Sequence, residues 1–160
     1  MNQQKGFTLI ELIIVIVVLG ILAVTAAPQF INFQSDARAS TVEGAKASVQ
    51  GAMQLAYAKS LIEGEEDSAT ASVETENGIV STVYGYPAYE ADSNDTTADG
   101  GIALAAGLNV DATTGEWVVS GSGPIQIRPA SADATADCYV EYTEASATSP
   151  AKVTSNTDNC

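Results

Sequence analysis

Gly6-Phe7-Thr8-Leu9-Ile10-Glu11 begins an apolar run that continues to Ala27 and carries a single charge, Glu11. At about 1.5 Å per residue, a helix over residues 7–28 spans the roughly 30 Å hydrocarbon core of a bilayer. The run is rich in Ile and Val, which are poor helix formers in water, but in lipid a helix satisfies its own backbone hydrogen bonds. This stretch therefore predicts a helix that enters a membrane.

Glu11 is unusual in such a segment. An ionised carboxylate inside a membrane costs about 3 kcal/mol or more unless it is paired, so it indicates a functional residue. The alternative is a side chain near the interface that reaches water or takes up a proton. The leader before it, Met1-Asn2-Gln3-Gln4-Lys5-Gly6, is short, polar and positively charged.

The octapeptide Lys5-Gly6-Phe7-Thr8-Leu9-Ile10-Glu11-Leu12 resembles the class III signal of type IV pilins and the related pseudopilins. The resemblance implies that a prepilin peptidase cleaves between Gly6 and Phe7 and methylates the new amino group of Phe7. It also implies that Glu11 pairs with the methylated amine of a neighbouring subunit, at an assembly platform in the inner membrane.

An ordinary secretory signal peptide is the alternative interpretation of the same residues. Lys5 would then be the n-region, and Val24-Thr25-Ala26-Ala27 would offer a cleavage site. Two features oppose this reading. Glu11 interrupts the apolar h-region at its start, and Pro28 would directly follow a cut after Ala27.

Composition limits the size and the chemistry of the rest of the chain. Its 160 residues support one globular domain beside the apolar segment. Only 6 Lys and Arg oppose 20 Asp and Glu, a net charge of −14, which disfavours nucleic-acid binding because phosphate contacts require a basic patch. The two cysteines, Cys138 and Cys160, fit a single disulfide in an oxidising compartment.

Two residues weaken the apolar helix. Gly20 is flexible within a helix, and Pro28 removes the hydrogen bond to the Val24 carbonyl. In type IV pilins, which this chain resembles, glycine and proline at such places bracket a stretch that unwinds in the filament. The resemblance therefore implies a hinge between Gly20 and Pro28.

From residue 29 to residue 63 the pattern becomes amphipathic. Apolar residues recur at three- and four-residue steps, namely Val42, Ala45, Val49, Ala52, Met53 and Ala56. Gly64 is a natural stop for a helix. We therefore predict one helix of roughly 55 residues, with a front half for lipid and a back half for a soluble domain.

The remaining chain predicts a small sheet. Residues 64–78 are typical of a solvated acidic loop, and residues 102–108 of a short helix. Residues 79–84, 116–120, 124–128 and 139–143 have strand-like composition or alternation, and residues 151–154 can pair with the last of them. We expect about four antiparallel strands to cover the amphipathic helix, with Trp117 in the core and Tyr84, Tyr86 and Tyr89 in packing roles.

Catalytic and metal-binding patterns are weak or missing in the sequence. Asp95-Thr96-Thr97-Ala98-Asp99-Gly100, within the loop 92–101, has the oxygen ligands and glycine of a calcium loop, but Ala106 stands where the bidentate glutamate belongs. There is no phosphate-binding loop, nucleotide fingerprint or serine nucleophile elbow, and no histidine. We therefore predict neither an enzyme nor a metal or other cofactor.

These observations combine into an α+β protein with a type IV pilin fold. The resemblance implies that residues 1–6 are a cleaved leader, residues 7–28 the membrane and filament-core half of the helix, and residues 29–160 the head. The protein is expected in the inner membrane as a precursor and then on the cell surface, as a homo-oligomeric filament that binds no nucleic acid directly. The resemblance also implies that a C-terminal disulfide bounds a variable surface region.

Several segments narrow the resemblance to the mannose-sensitive haemagglutinin pilin group. They are residues 23–28, Phe30-Ile31-Asn32, Asp36-Ala37-Arg38 and Tyr84-Gly85-Tyr86-Pro87. That group implies a thin pilus for surface attachment and biofilm growth. Two alternatives stay open: a pseudopilin of a type II secretion system, and a membrane-tethered adhesive domain that never polymerises.

Overall fold

A computed structural model of the chain describes residues 7–90, 100–111 and 113–160, and within its first helix it leaves the side chains of residues 26–32 undescribed. The elements are α1 (Leu9–Glu63), β1 (Ala71–Thr75), β2 (Gly78–Val83), β3 (Tyr86–Pro87), α2 (Ile102–Ala105), β4 (Trp117–Ser120), β5 (Ile125–Pro129), β6 (Tyr139–Thr143) and β7 (Lys152–Asn156). They fall into two compact units, Met1–Ala37 and Arg38–Cys160.

Helix α1 has the length that the periodicity of the sequence predicts. It contains 55 residues, and both Gly20 and Pro28 lie within its bounds. It ends at Glu63, and Gly64 then adopts a φ of +77°, the left-handed conformation that commonly terminates helices.

The first unit, Met1–Ala37, contains the front of α1. Within the described part of the chain, no helix combines the length and the hydropathy needed to cross a membrane. The division of the chain at residues 6 and 28 stays a prediction.

The strands of the second unit form two antiparallel sheets. One has the order β1-β2-β3 and the other the order β4-β5-β6-β7. The second sheet is a simple meander, in which Val118 pairs with Arg128, Ile127 with Val140, and Tyr142 with Val153. The expected α+β architecture, with a four-stranded antiparallel sheet beside a long helix, is confirmed.

The main core of the second unit combines α1 with the four-stranded sheet. Val42 and Val49 are fully buried in one cluster with Ile127 and Val140. Trp117 is buried in the same cluster, as the sequence predicts. The apolar face read from the helical periodicity is therefore the face that packs.

The prediction of a loop over residues 64–78 is wrong, because β1 lies inside it. Val73 of β1 is buried and packs with Val80 of β2 and Ala56 of α1. Thr75 pairs with Gly78, so a two-residue turn joins β1 and β2. The central residues of the turn are Glu76 and Asn77, and Gly78 follows them with a φ of +130°. Asparagine and glycine both favour turns, so they would have indicated a chain reversal here. The strand predicted at residues 79–84 accordingly belongs to the smaller sheet.

Helix α2 is shorter than the stretch 102–108 suggests. It ends at Ala105, and Gly107 adopts a φ of +66° two residues later. Ile102 at its first position is fully buried in the main core. The helix is therefore one anchored turn whose continuation the glycine prevents.

Candidate functional site

The start of α1 is closed by a reciprocal contact between Thr8 and Glu11. The Thr8 backbone N–H donates to Glu11 Oε2 at 2.8 Å, and Thr8 Oγ1 donates to the same oxygen at 2.7 Å. The Glu11 N–H donates to Thr8 Oγ1 at 3.3 Å, and the Thr8 carbonyl accepts the first helical bond, from the Leu12 N–H, at 3.3 Å. These contacts make Thr8 the N-cap of α1 and the pair a capping box.

This capping role of Glu11 was not predicted from the sequence. The signal was present, because Thr8-Leu9-Ile10-Glu11 has the threonine and glutamate of a capping box three residues apart. The carboxylate also lies in the first turn, where the helix dipole favours negative charge. Glu11 therefore helps to begin the helix, whatever else it binds.

The front half of α1 exposes large apolar side chains on every side. Phe7, directly before the cap, is 91% exposed. The exposed set on the helix is Leu9, Ile10, Leu12, Ile13, Ile14, Val15, Ile16, Val17, Val18, Leu19, Ile21, Leu22 and Val24. A contiguous exposed apolar surface of this kind marks a site of interaction with another apolar surface.

The structure gives limited information on Gly6, Gly20 and Pro28, the predicted cleavage and hinge residues. Gly6 lies outside the described residues, and the side chain of Pro28 is among those not described. At Gly20 an added Cβ would meet no atom within 4 Å, so no neighbouring group requires a glycine there.

Most of the calcium-like pattern lies outside the described residues. Of Asp95 to Gly100, only Gly100 is described. Within the residues that are described, no three acidic, cysteine or histidine side chains come together as metal ligands.

The disulfide joins the two ends of the last segment of the head. Cys138 and Cys160 are bonded, with Cα atoms 4.8 Å apart, and both residues are buried in the main core. Arg38 Nη1 donates to the Cys160 carbonyl at 3.1 Å, which ties this end of the chain to α1. The single disulfide expected from the cysteine count is confirmed.

A polar contact ties the edge strand β7 to α1. Ser155 Oγ donates to Glu43 Oε1 at 2.6 Å, and Lys46 Nζ donates to Ser155 Oγ at 3.0 Å. The Ser155 hydrogen bond, and then Lys46, hold the pKa of Glu43 below its usual range. The contact therefore holds β7 against α1.

Tyrosine packing connects the two sheets of the head. Tyr57 of α1 stacks on Tyr86 of β3 with ring centroids 4.5 Å apart, and Tyr89 meets Tyr142 edge to face at 6.1 Å. The Tyr142 hydroxyl donates to the Pro87 carbonyl at 2.5 Å. The expectation that Tyr86 and Tyr89 are packing residues agrees with these contacts.

Glu144 is linked to Tyr89 by two hydrogen bonds. It lies half-buried at the end of β6, and it accepts a hydrogen bond from the Tyr89 N–H at 2.8 Å. Its own N–H donates to the Tyr89 hydroxyl at 3.2 Å. Desolvation raises the pKa of Glu144, and the Tyr89 N–H partly opposes that rise. The pair acts as a tie between β3 and β6.

Comparisons with known proteins match both the motif and the head. Residues 1–27 match the family model of the prokaryotic N-terminal methylation motif. The type IV major fimbrial protein FimA of Dichelobacter nodosus is 36% identical over 116 residues, which cover 70% of this chain and 68% of that protein. Fimbrial protein Q of Moraxella bovis is 35% identical over 116 residues, 72% of this chain and 71% of that protein. No solved structure matches the chain.

A further relative matches a shorter part of the chain. The type IV narrow pilus major component of Thermus thermophilus is 46% identical over 54 residues, 34% of this chain and 47% of that protein. The two fimbrial relatives match far more of the chain and so include much of the head. The chain therefore belongs to the type IV pilins, structural subunits that polymerise into surface filaments and are not enzymes.

Proposed function

We propose that this pilin enters the inner membrane through residues 7–28, is cleaved between Gly6 and Phe7, is methylated on the Phe7 amine, and then polymerises. One observation carries the proposal: Glu11 stands at the start of a helix whose apolar side chains are exposed on all sides. The methylation-motif match over residues 1–27 supports the processing steps.

The physical argument for assembly begins with the exposed apolar surface. Packing these side chains against lipid, and then against copies of the same helix, removes them from water at about 25 cal/mol per Å². A carboxylate within such a bundle is costly unless a cation meets it. Cleavage after Gly6 would create that cation at Phe7, so pairing of Glu11 with the amine of a neighbour sets the axial register.

Gly20 and Pro28 are proposed to form a hinge within α1. An added Cβ at Gly20 would meet no atom within 4 Å, so packing within the subunit does not require a glycine there. The hinge proposal uses the flexibility that glycine has within a helix. Pro28 cannot donate to the carbonyl four residues earlier. The stretch between them is therefore the weakest part of α1 and the place where it would unwind during packing.

The finer proposal is a thin pilus of the mannose-sensitive haemagglutinin kind, used for attachment and biofilm growth. It rests on the resemblance of residues 23–28 and of Tyr84-Gly85-Tyr86-Pro87. The latter stretch forms the tight turn into β3, where Tyr84 and Gly85 have φ values of 48° and 78°. Deletion of this protein should reduce attachment of cells to surfaces. If the pilus is of the mannose-sensitive kind, added mannose should inhibit attachment of the wild-type cells.

Two measurements test the main proposal. The mass of the mature protein should correspond to loss of Met1–Gly6 and gain of one methyl group. Glu11→Ala should leave insertion and cleavage intact but abolish filaments seen by electron microscopy, whereas Glu63→Ala, a charge removal at the far end of α1, should assemble normally. Normal filaments from Glu11→Ala would refute the register role.

The two alternatives predict different outcomes. A pseudopilin would pass the mass test, but cells lacking it would keep their surface pili and lose protein secretion instead. A tethered adhesive domain would show no methyl group and no filament. A mature N-terminus at Pro28 would indicate ordinary signal-peptide cleavage and overturn the pilus proposal.

A further inference from the structure

We propose that Asn77 is a site of spontaneous deamidation, by which the head gains a negative charge and loses the contact between the β1–β2 turn and α2. Asn77 is followed by Gly78, and no other asparagine of the sequence precedes a glycine. Asparagine is among the thermolabile residues of proteins. The modification does not depend on the proposed processing and assembly of the pilin, because it requires only the folded head and water.

The position of Asn77 in the hairpin exposes the groups that must react. Asn77 is the second central residue of the turn between β1 and β2, and it is exposed to solvent. Gly78 has no side chain to shield its backbone nitrogen from the Cγ atom of Asn77. Gly78 is also the first residue of β2, and the end of a strand pair is where local opening costs little.

The reaction needs no group beyond these two residues and water. The Gly78 nitrogen loses its proton to solvent base and attacks Asn77 Cγ. The bond from Cγ to Nδ2 then breaks, and ammonia leaves with a proton from solvent. The product is a cyclic imide. Water adds to either of its two carbonyl carbons and breaks the bond from that carbon to nitrogen, which gives aspartate or isoaspartate.

The contacts of Asn77 show what the modification changes. Its Nδ2 donates to the Ala105 carbonyl at 3.2 Å, which ties the turn to the end of α2. An added Cβ at Gly107 would lie 3.3 Å from the same nitrogen, so the amide group lies close to this segment. An ionised carboxylate in its place has no hydrogen to donate and repels the carbonyl oxygen. The tie is therefore lost, and one negative charge is added to a net charge of −14.

The isoaspartate product also changes the backbone. It brings the Cβ atom of residue 77 into the main chain, which lengthens a two-residue turn between the paired Thr75 and Gly78. The register of a hairpin depends on its turn. Val73 and Val80 are paired across this hairpin and buried, so a longer turn disturbs a buried contact of the smaller sheet.

Asn109 is a matched internal control. It is also exposed, and its Nδ2 donates to the Thr114 carbonyl at 3.3 Å, a bond similar to that between Asn77 and Ala105. The residue after it is Val110, whose branched side chain is stiff and hinders approach to its backbone nitrogen. The two asparagines therefore share their exposure and type of contact and differ in the residue that follows.

The test incubates the folded, detergent-solubilised chain in heavy-oxygen water at mildly alkaline pH. Digestion after glutamate, at mildly acidic pH, then separates residues 77–90 from residues 91–116, and tandem mass spectrometry locates the modification. Heavy oxygen in the product marks a reaction that occurred in the intact chain and not during digestion. Asn77 should deamidate at least about tenfold faster than Asn109, because Gly78 has no side chain and Val110 is β-branched.

Two variants separate the chemistry from its structural effect. Asn77→Gln should stay unmodified at residue 77, because its longer side chain would have to close a larger ring, while Asn109 should react as in the wild type. Asn77→Asp reproduces the aspartate product and should have a lower melting temperature than the wild type, because a carboxylate then faces the Ala105 carbonyl.

Three results would overturn the proposal. An unmodified Asn77, or one that reacts no faster than Asn109, would show that this turn is not a deamidation site. Equal modification of Asn77→Gln would exclude the cyclic imide as the intermediate. An Asn77→Asp variant that melts at the wild-type temperature would show that the contact with α2 is not lost.

Discussion

Single residues in this pilin separate into those that tolerate change and those that do not, and its glycines show the contrast. Gly85 has a φ of +78°, and an added Cβ would lie 2.9 Å from a ring carbon of Tyr57 and 3.1 Å from Glu66 Cα. Gly44, in the exposed part of α1, has no atom within 4 Å of an added Cβ. Gly85 is therefore required both by its backbone conformation and by the close approach of Tyr57 and Glu66. Neither requirement applies to Gly44 within the subunit.

Gly85→Ala should therefore destabilise the head by about 2 kcal/mol, through left-handed strain and overlap with Tyr57. Gly44→Ala should stabilise it by up to about 1 kcal/mol, because alanine is the better helix former. Thermal unfolding of the detergent-solubilised chain, followed by circular dichroism, measures both. Equal effects of the two substitutions would contradict this reading.

Glu144 predicts a pH dependence of stability. The pKa of Glu144 is raised in the folded state, because burial disfavours its charged form. The contribution of this carboxyl to the free energy of unfolding is therefore fully present below the ordinary carboxylate pKa of about 4.3. It is lost as the pH rises through the raised pKa. Glu144→Gln cannot titrate, yet its amide oxygen can still accept from Tyr89.

The melting temperature of the Gln variant, relative to wild type, should thus increase from pH 4 to pH 7. Partial solvent exposure keeps the effect below about 1 kcal/mol. A constant or decreasing difference over that range would show that burial does not disfavour the Glu144 charge.

At the scale of elements, α1 was predictable because its signals are local. The three- and four-residue spacing that includes Val42, Ala45 and Val49 identified the buried face, and Gly64 identified the end. β1 was not predicted because Val73, its only large apolar residue, lies among polar neighbours. The strand forms because its backbone pairs with β2, and that pairing is not visible in the local pattern.

The packing of α1 predicts a difference between neighbouring positions. Val49 is fully buried in the main core, whereas Ser48 is exposed and bonds weakly to the Gly44 carbonyl, at 3.3 Å. Val49→Ala should cost about 2–3 kcal/mol of unfolding free energy. Ser48→Ala should change it by less than about 0.5 kcal/mol. Denaturant unfolding of the two variants checks the pair, and a mild effect at Val49 would mean that α1 packs more loosely than described.

At the scale of the whole molecule, the disulfide restrains the end of the chain. Cys138 and Cys160 are 22 residues apart, and a closed loop of that size stabilises the folded state by about 3 kcal/mol in the chain-entropy model. Replacing both cysteines by serine should lower the melting temperature by roughly 10 °C.

Reduction of the wild-type chain with a thiol should give a similar shift, while the thiol should leave the double serine variant unchanged. Unaltered melting of the double variant would indicate that Arg38 and the sheet contacts suffice to hold the C-terminal segment.

The sequence by itself determined the long helix, its apolar front, its buried face and the pilin family, because helical periodicity and the Gly6–Glu11 motif are contained in neighbouring residues. It also determined most strands, through alternation. Only the tertiary structure decided how the strands divide into two sheets and how Tyr89 and Glu144, 55 residues apart, share reciprocal hydrogen bonds. Such contacts depend on which surfaces meet after the chain folds, and short-range patterns carry little information about that.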